Sequence, residues 1–186
     1  MARGGEADHR PGDVLLHGLP GHPLHPPLTD ATIGMFVLAT GLAVIGKAGA
    51  IPDAAGKGCW LALIGGLAVA VPTAGTGFAD WVRLEWGSPP WRTATLHLTA
   101  MVSAVVLFAL AAWLQYDGYQ NGDVTTGGVI LSVLGFIALT AGGWLGGTIV
   151  FVHGIRVVAA GEPVREQPGD STAAGEETSS IRRVTR

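Results

Sequence analysis

The sequence predicts an all-α membrane protein, a bundle of four transmembrane helices packed up-down-up-down. Three observations predict it. Four apolar stretches each reach the ~20 residues that a helix needs to cross a hydrocarbon core. Only 13% of the 186 residues are charged, about half the roughly 25% share of a soluble domain. The 29 glycines exceed the ordinary share of ~7%; they follow no G-X-Y period, which excludes collagen, and they suit close helix packing in lipid. A mean hydropathy of +0.42 excludes intrinsic disorder for the middle of the chain. A net charge of −3, with no basic patch breaking the apolar runs, argues against nucleic acid as a partner.

The elements follow in order. Residues 1–19 are polar, lack the apolar core of a secretory signal, and read as an N-terminal arm. The transmembrane domain spans 20–158. Its first helix is expected from about Asp30 to Ile51, with Pro26 and Pro27 ahead of it and Thr29 or Asp30 as cap. The second runs from about Gly58 to Val82, where Pro72 should kink the helix and free a carbonyl. The third runs from about Pro90 to Tyr116, after the Gly87-Ser88-Pro89 turn. The fourth runs from about Thr125 to Val157. Short links favour antiparallel neighbours. Residues 159–186, rich in Gly, Pro, Ser, Thr and charge, read as a disordered tail.

Orientation follows from the basic residues. Of the 11 Lys and Arg, only Lys47 and Lys57 fall on one side of a four-span chain, so both termini are expected in the cytoplasm. Trp81, Trp86 and Trp91 would then mark the cytoplasmic headgroup level, and Trp113, Tyr116 and Tyr119 the opposite one. The location implied is a bacterial inner (cytoplasmic) membrane, with the lipid bilayer as first partner.

Chemistry, if any, rests on histidine. His22 and His25 in GHPLHPPL precede the first span, His97 lies about two turns into the third, and His153 lies near the end of the fourth. Asp80 ends the second. On the expected topology all of them fall in one layer toward the cytoplasm. Ionisable groups in a membrane are costly and commonly mark function, and neutral imidazole ligates haem and transition metals. The layer therefore admits haem b between His97 and His153 with the His22/His25 pair nearby, or a metal at His22, His25 and Asp80. The alternative is structural: His97 bonding Asp80 or the carbonyl freed by Pro72, as ordinary interhelical glue. Cys59, the one cysteine, permits no disulfide and reads as a small core or lipid-facing residue. Gly142, Gly143, Gly146 and Gly147 form overlapping G-x-x-x-G pairs that suit packing within the bundle before a dimer face. No catalytic motif stands out, and no inverted repeat is visible to support a transporter.

GHPLHPPLTDATIG, the Asp80-Trp81 pair, His97 and GGWLGGTIVFVHG together resemble the bacterial "domain of unknown function 2231" membrane family over about Leu19 to Val158. The resemblance implies a four-helix membrane domain without assigned activity. Relatives joined to Rieske iron–sulfur domains hint at electron transfer, but one cysteine cannot build a Rieske site, so a redox partner would be a separate protein. Thr148 stands where relatives carry an acidic residue, which argues against proton handling there. The two functional readings are a haem- or metal-binding electron-transfer protein and a non-catalytic subunit of a larger membrane complex.

The orientation is directly testable. Cysteines placed in the Lys47–Lys57 loop should react with an impermeant maleimide on intact cells, and cysteines in the Arg83–Arg92 loop should not; the reverse labelling would invert the assignment.

Overall fold

A computed structural model describes residues 23–155 and 157. It contains helices α1 (His25–Lys47), α2 (Pro52–Trp81), α3 (Pro89–Asn121) and α4 (Thr126–Phe151). All are long and apolar enough to cross a membrane, and no strand occurs among the described residues. Neighbours run antiparallel: α1 packs on α2, α2 on α3, α3 on α4, and α4 closes the ring against α1. The expected four-helix bundle is observed. The N-terminal arm, His22 and the C-terminal tail lie outside the described residues.

The helix boundaries correct the expectation in several places. α1 begins at His25, five residues early, with prolines in its first turn and no side-chain cap. The first turn needs no amide hydrogens, so Pro26 and Pro27 sit there without loss. Thr29 is consequently inside the helix, and its hydroxyl donates to the His25 carbonyl at 2.8 Å. α2 begins at Pro52, directly after Ile51 turns the chain with φ 45°. It continues unbroken past Pro72. Ser88 caps α3 by accepting from the Trp91 amide, and Thr125 caps α4 by accepting from the Gly128 amide. α4 ends at Phe151 and not at Val157, because Gly154 takes φ +66°, a conformation that stops a helix. His153 thus lies just past the helix.

At the bundle centre Phe36 and Phe108 stack with centroids 4.0 Å apart and planes 10° apart. Around them are Ala39, Ala43, Ala104, Ala111 and the buried thiol of Cys59. Gly66 meets the Phe36 ring, where an added Cβ would collide, and Gly135 meets the Phe108 ring, which an added Cβ would crowd. Small residues admit close backbones, which is how helices associate without a hydrophobic drive in lipid.

The packing contains an internal repeat absent from the expectation. Phe36 and Phe108 are 72 positions apart, and the same spacing relates every buried residue of α1 to a buried residue of α3: Thr32 to Ala104, Ala39 to Ala111, Thr40 to Ala112, Ala43 to Gln115, Gly46 to Gly118. A spacing of 69 relates Cys59 to Gly128, Leu63 to Ser132, Gly66 to Gly135, Ala70 to Leu139 and Thr73 to Gly142, all buried in α2 and α4. The α1–α2 and α3–α4 hairpins are therefore copies of one packing unit. They run in the same sense, so a pseudo-two-fold axis along the bundle relates them, with the phenylalanine stack upon it.

Away from the histidines, Gln115 is fully buried and ties the α3–α4 turn to α2. Its amide nitrogen donates to the Asp123 carbonyl at 2.8 Å and the Gly56 carbonyl at 3.5 Å; its oxygen accepts from the Thr125 amide at 3.0 Å and the Thr125 hydroxyl at 3.1 Å. Lys47 adds a bond to the Val124 carbonyl. Replacing Gln115 with Leu should strip these buried groups of partners and destabilise the detergent-solubilised bundle by about 1–3 kcal/mol in reversible unfolding. Among the described residues the buried Ser132 hydroxyl has no partner, so Ser132→Ala should be neutral or stabilising in the same measurement.

Candidate functional site

One end of the bundle collects the start of α1, the end of α2, the start of α3 and the end of α4, and with them every described histidine. His25 opens α1 and points at α2. Its Nδ1 lies 3.0 Å from the Thr73 carbonyl and 3.2 Å from the Thr76 hydroxyl oxygen. Gly77 lies against its ring. Thr76 donates to the carbonyls of Pro72 and Thr73, and a carbonyl only accepts, so the hydrogen toward Thr73 belongs to Nδ1. The carbonyl taken is that of Thr73; the one that Pro72 deprives of its donor belongs to Ala68, four residues back.

His97 repeats this arrangement 72 positions later. Its Nδ1 donates to the Gly142 carbonyl at 2.8 Å, and Gly146 lies against its ring as Gly77 lies against that of His25. The pairs Thr73/Gly142 and Gly77/Gly146 both keep the 69-residue spacing. Each hairpin is thus latched at this end by an imidazole donating to the backbone of the returning helix.

His153 has no such counterpart. Its Nε2 lies 2.9 Å from the Thr93 hydroxyl. Thr93 precedes His97 by four residues, so both histidines occupy the α3–α4 seam, about 6 Å apart along the axis. A third cross-helix bond joins Thr32 on α1 to Thr73 on α2 at 3.0 Å. The Trp81 indole donates to Thr95 at 3.0 Å, linking α2 to α3. Trp81, Trp86 and Trp91 cluster around this link. Tyr116 and Tyr119 gather at the other end around Trp60.

Of the residues expected to form the site, His97 and His153 share one seam, and His25 sits on the symmetry-equivalent seam of the other hairpin. Asp80 follows Thr76 by four residues and so shares its face of α2. His22 lies outside the described residues. Among the described residues no group of three or more His, Cys, Asp or Glu side chains is arranged to hold a metal ion. Sequence reasoning placed the histidines at one end but missed Thr73, Thr93, Gly77, Gly142 and Gly146 as their partners. The 72-residue interval between His25 and His97, repeated between Phe36 and Phe108, was the available signal.

Removing both members of the Thr93–His153 pair should cost less than the sum of the single changes. A cycle of Thr93→Val and His153→Leu should give a coupling of about 0.6 kcal/mol, the usual size of such bonds between membrane helices. A coupling of zero would show that the contact is incidental.

Residues 21–159 match the family DUF2231, described as a predicted membrane protein, and the chain belongs to that family. It is an integral membrane protein with several spans, as the four helices require. No curated protein and no solved structure matches the chain.

Proposed function

We propose that the protein is a non-catalytic subunit of the bacterial cytoplasmic membrane, inserted with both termini inside, whose spans form a rigid platform for other membrane proteins. The observation that carries this reading is how the intramembrane polar groups are used. His25, His97, His153, Thr32 and Trp60 each bond a different helix, and the two hairpins repeat the same latch. Polar groups so placed hold helices together. The exposed face is apolar, including Trp144, Phe151 and Val71, as a surface that meets lipid and neighbouring spans requires.

A second reading is favoured by one observation. In both His25 and His97 the hydrogen lies on Nδ1, toward a carbonyl, which leaves Nε2 as the basic nitrogen. Imidazoles that ligate metal or haem are commonly held in this way, one ring N–H donating to a backbone carbonyl and the other nitrogen left for the ligand bond. On this reading His97, with His153 or the His22/His25 pair, would hold haem b or a transition metal and pass electrons to a separate redox protein.

The absorption spectrum and metal content of gently solubilised protein separate the two. The platform reading expects no Soret band and no stoichiometric metal, and His97→Leu should leave membrane insertion intact. A Soret band, or bound metal, that disappears in both His97→Leu and His153→Leu would replace it with the redox reading.

A further inference from the structure

The two hairpins are copies, so the two seams that join them are built from equivalent positions, and any difference between the seams is set by the side chains. The α2–α3 seam is fastened at three levels. At the histidine end the Trp81 indole donates to the Thr95 hydroxyl at 3.0 Å. Further along, the Trp60 indole donates to the Ala112 carbonyl at 3.1 Å and packs on Tyr116 and Tyr119. At the far end Gln115 donates to the Gly56 carbonyl at 3.5 Å. Residues 82–88 also join these two helices along the chain.

The α4–α1 seam has the same positions without those side chains. Val150 and Pro23 stand for Trp81 and Thr95, Val129 for Trp60, and Ala43 for Gln115; none of the four carries a polar side chain. Thr40 and Lys47 cross this seam instead. The Thr40 hydroxyl lies 3.4 Å from the Ser132 carbonyl, but its one hydrogen also serves the Phe36 carbonyl at 2.9 Å, so the reach to α4 is the weaker branch. Lys47 donates to the Val124 carbonyl at 3.2 Å, at the far end of the bundle. Within the same seam the Ser132 hydroxyl is fully buried and, among the described residues, has no partner; its equivalent in the fastened seam is Leu63. Closing over an unmet hydroxyl disfavours the closed packing. On its lipid side the seam already parts into a groove of about 340 Å³ bounded by Val37, Val44, Ile45 and Phe136.

We propose that the hairpins move as two halves hinged on the α2–α3 seam, and that the α4–α1 seam opens sideways to the lipid from the histidine end. Lys47 fixes the far end, which sets the direction of opening. The latches of His25 and His97 lie within hairpins, so each half keeps its own packing while the halves part. Such openings are drawn from the least-fastened contacts of a structure, and hinge motion of packed halves is an ordinary way to accommodate them. The inference goes beyond the platform reading: the rigid elements are the latched hairpins, and the joint between them yields on one side.

The test is spin–spin distance measurement by double electron–electron resonance on the full-length chain in phosphatidylethanolamine/phosphatidylglycerol vesicles, with Cys59→Ala as background. Asp30→Cys with Trp144→Cys reports on the α4–α1 seam. Val102→Cys with Gly75→Cys, their equivalents at the same spacings, reports on the α2–α3 seam. All four positions are exposed. The α2–α3 pair should give a single narrow distance, and the α4–α1 pair should give a similar distance plus a second, longer one. Val129→Trp supplies the missing indole and should remove the longer distance. Trp60→Val should bring a longer distance to the α2–α3 pair. A single narrow distance from the α4–α1 pair, or a longer one that survives Val129→Trp at unchanged helicity, would overturn the proposal. Should Val129→Trp fail to insert, an α2–α3 distance unaltered by Trp60→Val would overturn it as well.

Discussion

Every helix pair in this bundle depends on backbones coming close, because lipid offers no hydrophobic reward for burying apolar side chains against one another. The Phe36–Phe108 stack is the one bulky contact that this closeness allows on the axis. Its rings fit only because Gly66 and Gly135 face them. Alanine, glycine and threonine fill most of the remaining interior, and the large side chains Val71, Leu96, Ile137 and Trp144 point out toward lipid. The interior is small and the exterior large, the inverse of a soluble core.

Close backbones also explain the histidines. A carbonyl inside a helix already accepts from the residue four ahead, and its second lone pair is reachable only where the neighbouring helix is near and the side chain beside it is absent. Gly77 and Gly146 supply that gap, and the imidazoles of His25 and His97 lie in it. The latch is one solution used twice, once per hairpin. An interhelical bond of this kind contributes on the order of 0.6 kcal/mol, so its value lies in fixing rotation and depth of two helices as much as in stability.

The helical class, the number of spans, the gathering of the described histidines at one end and the bundle-facing role of Gly142 and Gly146 were legible from hydropathy, charge and small-residue spacing; Gly143, expected to pack like them, has open space beside it. The boundaries were less so. Pro26 and Pro27 signalled a helix start but not that the helix would enclose them, and Gly154 stopped α4 ahead of apolar residues that hydropathy alone would continue. The partners of the histidines were not legible, since carbonyls leave no mark in a sequence. The repeat stayed hidden for a related reason. Packing preserves size at each position and not identity, so Thr40 answers to Ala112 and Ala43 to Gln115, while clear identities such as His25/His97 and Phe36/Phe108 are few and 72 residues apart.

Departures from the repeat show where this chain does something beyond packing two hairpins. Gln115, where the first hairpin has Ala43, ties the α3–α4 turn to α2. His153 adds a second imidazole to one seam only. Trp60 closes one junction and Val129 leaves the other open. Trp113 projects where Gly41 recedes. The Trp60 indole ties α2 to α3 through the Ala112 carbonyl, and Val129 can make no such bond between α4 and α1, so two hairpins that are built alike are joined to each other unequally.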